Sequence, residues 1–297
     1  TRVTKRVVAA VATAALGATL LALPSSPVGA TSTVTIVRTF GADREASSVA
    51  IAAAASTGAT VFGANNTDFV LANSRSFTDS VTASALAGVV NGTVILLPTD
   101  GSLSAGAQAE LATANNVFII GGSSVVPATV EAAVQTASTG ATTFIRLGGA
   151  NRFETMKLVA DNIGTNNVAL LDGKKTVLLG NSESFADLVS ASPAAYAGDG
   201  TGDVHPILIT PADSLAPEAK AAITSLVATQ VVILGGPAAV SAAVEAEINA
   251  MAGVAAIRVE GADRYATAVN FAALLMKSRA TGGFGWNATN VGLVNFA

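Results

Sequence analysis

The chain has no cysteine and, among its 297 residues, only one histidine, one tryptophan and two tyrosines. Without cysteine, disulfides, thiolate nucleophiles and thiolate metal sites are excluded together. A single histidine cannot form an imidazole metal cluster. His205 precedes Pro206 at the head of an apolar run and reads as a structural residue. Charge is also scarce, at 12% of residues, and there is no Lys/Arg run of the kind that binds nucleic acid. Gly180-Asn181-Ser182-Glu183-Ser184 lacks the G-x-S-x-G nucleophile elbow, and no pair of carboxylates is singled out for acid/base work. These absences leave no catalytic, metal or cofactor set, so the sequence predicts a non-enzymatic stretch of protein. Hydrophobic residues make up 51% of the chain and aromatics 5%. The core must therefore be aliphatic, and the chain is long enough to bury one without covalent staples.

The N-terminal thirty residues have the pattern of an export signal. Arg2, Lys5 and Arg6 precede an uncharged apolar run from Val7 to Leu23, Pro24 breaks it, and Val28-Gly29-Ala30 supplies small residues for cleavage. A membrane anchor is the alternative, since the run approaches the length needed to span a bilayer; the proline and the small-residue site favour cleavage near Thr31, leaving no membrane segment. Removing these three positive charges would take the formal net charge from −4 to −7.

One phrase occurs three times: Val37 to Arg44 (Val-Arg-Thr-Phe-Gly-Ala-Asp-Arg), Ile145 to Arg152 (Ile-Arg-Leu-Gly-Gly-Ala-Asn-Arg) and Ile257 to Arg264 (Ile-Arg-Val-Glu-Gly-Ala-Asp-Arg). Its arginines are spaced by 108 and 112 residues. That period exceeds the roughly 20–50 residues of solenoid repeats, so each copy heads a whole supersecondary assembly. The expected organisation is a leader over 1–30, modules over 31–143 and 144–255, and the opening of a third over 256–297. Linked modules make later contacts with one extended partner intramolecular.

Continuous apolar runs at Val94–Leu97, Val117–Ile120, Val177–Leu179, Ile207–Ile209 and Val231–Leu234 read as strands buried on both faces. Helical spacing lies between them. Phe77, Val81, Ala85 and Val89 form an expected apolar stripe, as do Val126, Val130, Ala133 and Val134. Leu215 to Leu226 and Val240 to Ile248 repeat the arrangement. Alternating strands and helices predict an α/β fold, with a parallel sheet flanked by helices in each module. The short links near 136–141 and 251–255 predict modules packed side by side.

In the triplicated phrase, Gly41, Gly149 and Gly261 suit a turn of positive φ. Asp43, Asn151 and Asp263 suit a helix N-cap. Arg44, Arg152 and Arg264 follow at the helix start, while Arg38, Arg146 and Arg258 lie on the incoming strand. Two arginines and a helix start can hold an anion; equally, the arginines can pair with carboxylates or carbonyls within the fold, and a capping Asp would oppose an anion. A second phrase, Asn73 to Asp79, recurs at Asn181 to Asp187. Phe77 and Phe185 read as core anchors, and Asp79 and Asp187 fall in a first helical turn. Ser76, Ser182 and Ser184, exposed at this strand-to-helix turn, are ligand candidates, because ligands of open α/β sheets gather at the carboxyl ends of strands. Gly121-Gly122 and Gly235-Gly236 lack the third glycine of a dinucleotide fingerprint, and tight packing accounts for them.

Arg258 to Ala268 (Arg-x-x-Gly-Ala-Asp-Arg-Tyr-x-Thr-Ala), the two Ser-x-Ser-Phe-x-Asp passages and Val232 to Val240 (Val-Ile-Leu-Gly-Gly-Pro-x-x-Val) together resemble the cell wall-binding repeat 2 family. The resemblance covers residues 33–297. It implies an exported Gram-positive surface protein, α/β modules arranged as a pseudo-threefold triangle, and ligand grooves near module contacts. It further implies non-covalent anchoring to an anionic cell-wall polysaccharide or teichoic-acid-like polymer, with self-association between module faces, as in a surface-layer component, or fusion to a wall hydrolase as alternative settings. The candidate ligand-binding residues are then Arg38, Arg44, Ser76, Asp79, Arg146, Arg152, Ser182, Ser184, Asp187, Arg258 and Arg264. Module 1 departs from the pattern: Glu45 and Ser47 stand where later copies have Phe153 or Tyr265 and Thr155 or Thr267.

Overall fold

The computed structural model describes residues 38–56, 67–140, 143–184, 186–198 and 202–286; the expected leader lies outside them. Strands β1 (Asp68–Asn73), β2 (Thr93–Leu97), β3 (Asn116–Ile120) and β4 (Thr143–Leu147) form an all-parallel sheet in the order β2-β1-β3-β4. They alternate with helices α1 (Arg44–Ser56), α2 (Phe77–Val89), α3 (Ala105–Leu111) and α4 (Ala128–Ala137). Helix α5 (Arg152–Ile163) opens the second unit. There β6 (Lys174–Asn181) is flanked by β7 (Ile207–Thr210) and β8 (Gln230–Leu234), and β9 (Ala255–Val259) follows β8, all parallel. Helices α6 (Ala186–Ala197), α7 (Pro217–Ser225) and α8 (Ala242–Asn249) complete that unit, and α9 (Arg264–Met276) begins the next.

One strand departs from the parallel expectation. The short β5 (Leu170–Leu171) pairs antiparallel with the first residues of β6. The turn between them is Asp172-Gly173, both at positive φ (55° and 72°). An Asp-Gly pair suits the tight hairpin turns whose twist matches that of the strands they join.

The first sheet is buried on both sides because successive side chains point to opposite faces. Phe69, Leu71, Val117 and Ile119 pack outward onto Ala52, Leu111, Val130 and Val134. Val70, Ala72, Phe118 and Ile120 instead join a second cluster that runs through α2 and α5 into the second sheet. The two units therefore share a core, and each fully buried aliphatic side chain in it contributes roughly 1.5–3 kcal/mol.

Helix α2 sits in the middle of that shared core. Its expected single stripe is replaced by burial nearly all round, including Thr78, Asp79, Thr82, Ala83, Ser84, Leu86 and Ala87. It packs against both α5 and α6, so its small residues are matched to close neighbours on several sides. A side chain at Gly88 would lie 2.2 Å from the backbone oxygen of Tyr196 in α6. The units are packed side by side, as the short links predict.

The sequence repeat and the sheets are out of phase. Strand β4 opens the second copy of the triplicated phrase, yet its ladder partner is β3 of the first sheet, with Arg146 opposite Ile119. Likewise β9 closes the second sheet, with Arg258 opposite Ile233. The second and third phrases thus each span a junction, their strand ending one sheet and their helix starting the next unit. In the first phrase Arg38, expected on a strand, lies in irregular chain ahead of α1.

Candidate functional site

The junctions share one local construction. The Asp43 carboxylate accepts from the Ala46 amide at 2.7 Å, Asn151 Oδ1 from the Phe153 and Glu154 amides at 2.9 Å each, and Asp263 from the Ala266 amide at 2.8 Å. The hydroxyls of Ser47, Thr155 and Thr267 accept from the amides of Gly41, Gly149 and Gly261 at 3.0, 3.1 and 3.1 Å. Serine in the first copy keeps this bond, so its departure from threonine is structurally silent. The capping role expected for these residues is met.

The glycine expectation is not. Gly41, Gly149 and Gly261 are absent from the positive-φ positions. They are glycine because a Cβ would lie 2.3 Å from the Ala46 backbone, 2.3 Å from Glu154 Cβ or 2.4 Å from Ala266 Cβ. The helix's first turn folds back onto them. Positive φ occurs instead at Gly121 (115°) and Gly235 (101°), at the ends of β3 and β8. These glycines bend the chain so that the ends of adjacent strands can touch; a Cβ at Gly148 would lie 2.5 Å from the Gly121 backbone.

In the second and third phrases the two arginines have different surroundings. Arg146 donates through Nε and Nη2 to Glu131 and through Nη1 to the Gly121 carbonyl at 2.8 Å. Arg258 repeats this with Glu245 and the Gly235 carbonyl, and its side chain is only 10% exposed. Both are forked, charge-assisted attachments that lock strand to helix. The helix-start arginines reach across a turn: Arg44 Nη1 donates to the Ser74 carbonyl at 3.0 Å and Arg152 Nη1 to the Ser182 carbonyl at 2.8 Å. Arg152 also meets Glu183 at 3.0 Å, with side-chain exposures of 41% and 73%.

A groove opens where the carboxyl ends of β1 and β3 face the start of α5. Its two adjoining parts have volumes of about 420 and 290 Å³. Arg75, Phe77, Thr99 and Pro127 line the first part, Asp79, Gly122 and Asn151 the second, and Ser76, Ser124 and Arg152 border both. Burial pushes the Asp79 carboxyl above its ordinary range; the Ser76 hydroxyl, donating at 2.7 Å, and the Arg152 charge oppose that rise. At the second junction, burial likewise raises Asp187, opposed by Thr267 and Arg264. Asp187 Oδ1 is buried there without a hydrogen-bond partner among the described residues.

Of the candidate residues, the structure brings Ser76, Asp79 and Arg152 together across the junction. Asp187 and Arg264 form the corresponding pair at the second junction. Arg44 is engaged with the Ser74 backbone, and Arg38 is exposed at the start of the described residues. The expected exposure of Ser182 is not found: it is 1% exposed and presents its carbonyl, not its hydroxyl, to Arg152. The Ser184 amide donates to Asn181, which clamps the turn as Asn73 does in the first unit. Phe77, expected in the core, is only half-buried and forms part of the groove wall; Phe185 lies outside the described residues. Sequence reasoning missed Arg75, Thr99 and Ser124 in the groove. Their positions two to four residues past the carboxyl ends of β1, β2 and β3 were the available signal.

The cell wall binding domain 2 (CWB2) family model matches residues 38–131 and 146–245. The chain belongs to the CWB2 family. Among curated proteins, it is 32% identical over 127 residues to N-acetylmuramoyl-L-alanine amidase LytC of Bacillus subtilis, a match covering 43% of this chain and 23% of LytC. Among solved structures it resembles Cwp6 from Clostridium difficile (TM-score 0.65, 21% identity, 84% of this chain and 38% of that one). It also resembles Cwp8 from the same organism (TM-score 0.61, 22% identity, 78% and 36%). The chain thus spans well under half of each of these relatives, and the structural likenesses establish a shared mixed α/β fold. The matched segments are thus cell wall binding domains, and the family points to a wall or surface location. The two family matches begin at the first arginine of the first and second phrases, Arg38 and Arg146.

Proposed function

We propose that the chain is a secreted, non-catalytic wall anchor that holds an anionic cell-wall glycopolymer non-covalently in its junction groove. The observation that carries this reading is the groove's composition: Arg75 and Arg152 beside Phe77, Thr99 and Ser124. Guanidinium groups suit phosphate or carboxylate, and hydroxyls suit sugar hydroxyls. CWB2 membership and the export-like leader support the setting. With a net charge of −7 after leader removal, long-range attraction does not drive capture, so short-range contacts must. Binding is therefore expected to weaken with salt without being abolished.

Co-sedimentation of the full chain with purified Gram-positive cell walls, intact or stripped of anionic polymer, tests the reading. Binding lost on stripping supports it, whereas equal binding to both would sink it. A second reading, favoured by the likeness to LytC, is that these modules form the anchoring part of a wall hydrolase. Zymography of the gene product as made in its host distinguishes the two.

A further inference from the structure

We propose that the two junctions among the described residues are unequal sites and that, of these two, the groove between the first and second units takes the anionic sugar unit. This rests on the anchoring reading above and specifies where it operates. The backbone construction is the same at both junctions, so matched positions can be compared directly. Arg75, after the end of β1, has Glu183 as its counterpart after β6. The cap of α5 is the neutral Asn151, whereas that of α9 is the charged Asp263. Gly148 is matched by Glu260, whose carboxylate lies against Gly236.

The uncharged walls change in the same direction. Thr99, after β2, becomes Ala212 after β7, and Ser124, after the Gly-Gly turn, becomes Ala238. The first groove thus has an extra cation and two hydroxyls, while the second has extra carboxylates and methyl groups. Three features oppose this trend. Pro127 is matched by Ser241, whose hydroxyl is engaged in capping α8. Glu154 in the first turn of α5 is matched by Ala266, and Glu183 pairs with Arg152. Glu154 is already engaged with the Ala150 amide. The Glu183 pair is exposed, so an incoming anion can displace it cheaply. The second junction instead carries Asp263 and Glu260 where the first has Asn151 and Gly148, whereas Asp187 is matched by Asp79 and does not separate the two.

The test uses the full chain and purified Gram-positive walls that are intact, stripped of phosphodiester-linked polymer only, or stripped of all anionic polymer. The last two preparations separate phosphate from uronate as the anion. Asn151→Asp adds a carboxylate while keeping the cap, as Asp43 and Asp263 show. Asn151→Asp and Arg75→Glu should each lower affinity for intact walls roughly tenfold, with unchanged melting temperatures. Asp263→Asn and Arg264→Gln at the other junction should change it by less than about twofold. The proposal is overturned if the first pair binds like the parent, or if Arg264→Gln loses as much as they do. Equal binding of the parent to intact and fully stripped walls would remove the anchoring reading itself, a result distinct from either of these.

Discussion

In the second and third copies of the triplicated phrase, the two arginines lie six residues apart but have opposite surroundings. The strand arginine is enclosed: Arg258 is held by Glu245 and by the Gly235 and Ser241 carbonyls, and Arg146 by Glu131 and Gly121. The helix-start arginine is half in solvent, with one guanidinium nitrogen spent on a carbonyl across a turn. Repetition alone therefore does not mark a binding residue. A side chain can recur because every copy must lock a strand to the preceding helix, or because every copy presents it outward, and only its partners distinguish the cases.

Substitutions should separate the two classes. Arg258→Ala leaves the half-buried Glu245 without its partner, and the expected cost is about 3 kcal/mol of stability, read from the denaturant midpoint. Arg146→Ala, at a more exposed pair, should cost about 2 kcal/mol. A stability loss as small as that of a surface substitution in both variants would erase the distinction. Arg152→Gln should reverse the balance, with less than about 1 kcal/mol lost from folding and a roughly tenfold loss of wall binding. Unfolding of that variant, with its binding per folded molecule intact, would assign Arg152 to the structural class.

The smallest effect concerns Asp79. Its pKa is raised in the folded state by burial, so the group favours folding while protonated. That contribution is fully present below its unfolded pKa and is lost as pH rises through the folded value. Melting curves should show Asp79→Asn gaining on the parent above the ordinary aspartate range and losing that advantage below it. A parent that instead gained stability relative to the variant as pH rose would contradict the burial argument.

Much of the fold was legible locally. The apolar runs at Val94–Leu97, Ile207–Ile209 and Val231–Leu234 fall within β2, β7 and β8, because strands buried on both faces need no polar alternation. The caps were legible because Asp or Asn before a helix satisfies its own neighbours. Contacts set by distant segments were not. Nothing near Phe77 announces that its ring borders a groove completed by Arg152, 75 residues later. The burial of Asp79 depends on the neighbouring unit's packing, and the phrase glycines were misread because crowding by a returning helix turn leaves no mark on sequence. Glu131 and Glu245 preceded their arginines by 15 and 13 residues, a recurrence visible in sequence once one thinks to pair them.

The offset between phrase and sheet has a practical side for anyone dissecting the protein. A boundary placed before Thr143 would take β4 from the first sheet, exposing the edge of β3 to strand addition by other molecules and stranding Glu131 without Arg146. A boundary after Leu147 leaves that sheet whole and gives the next unit its capped helix intact. The cut that spares strand pairing thus falls between Leu147 and Asn151. A single unit released there would bare the face of α2 that packs on α5 and α6, so breakpoints at this turn should yield folding products only where a neighbouring unit is retained.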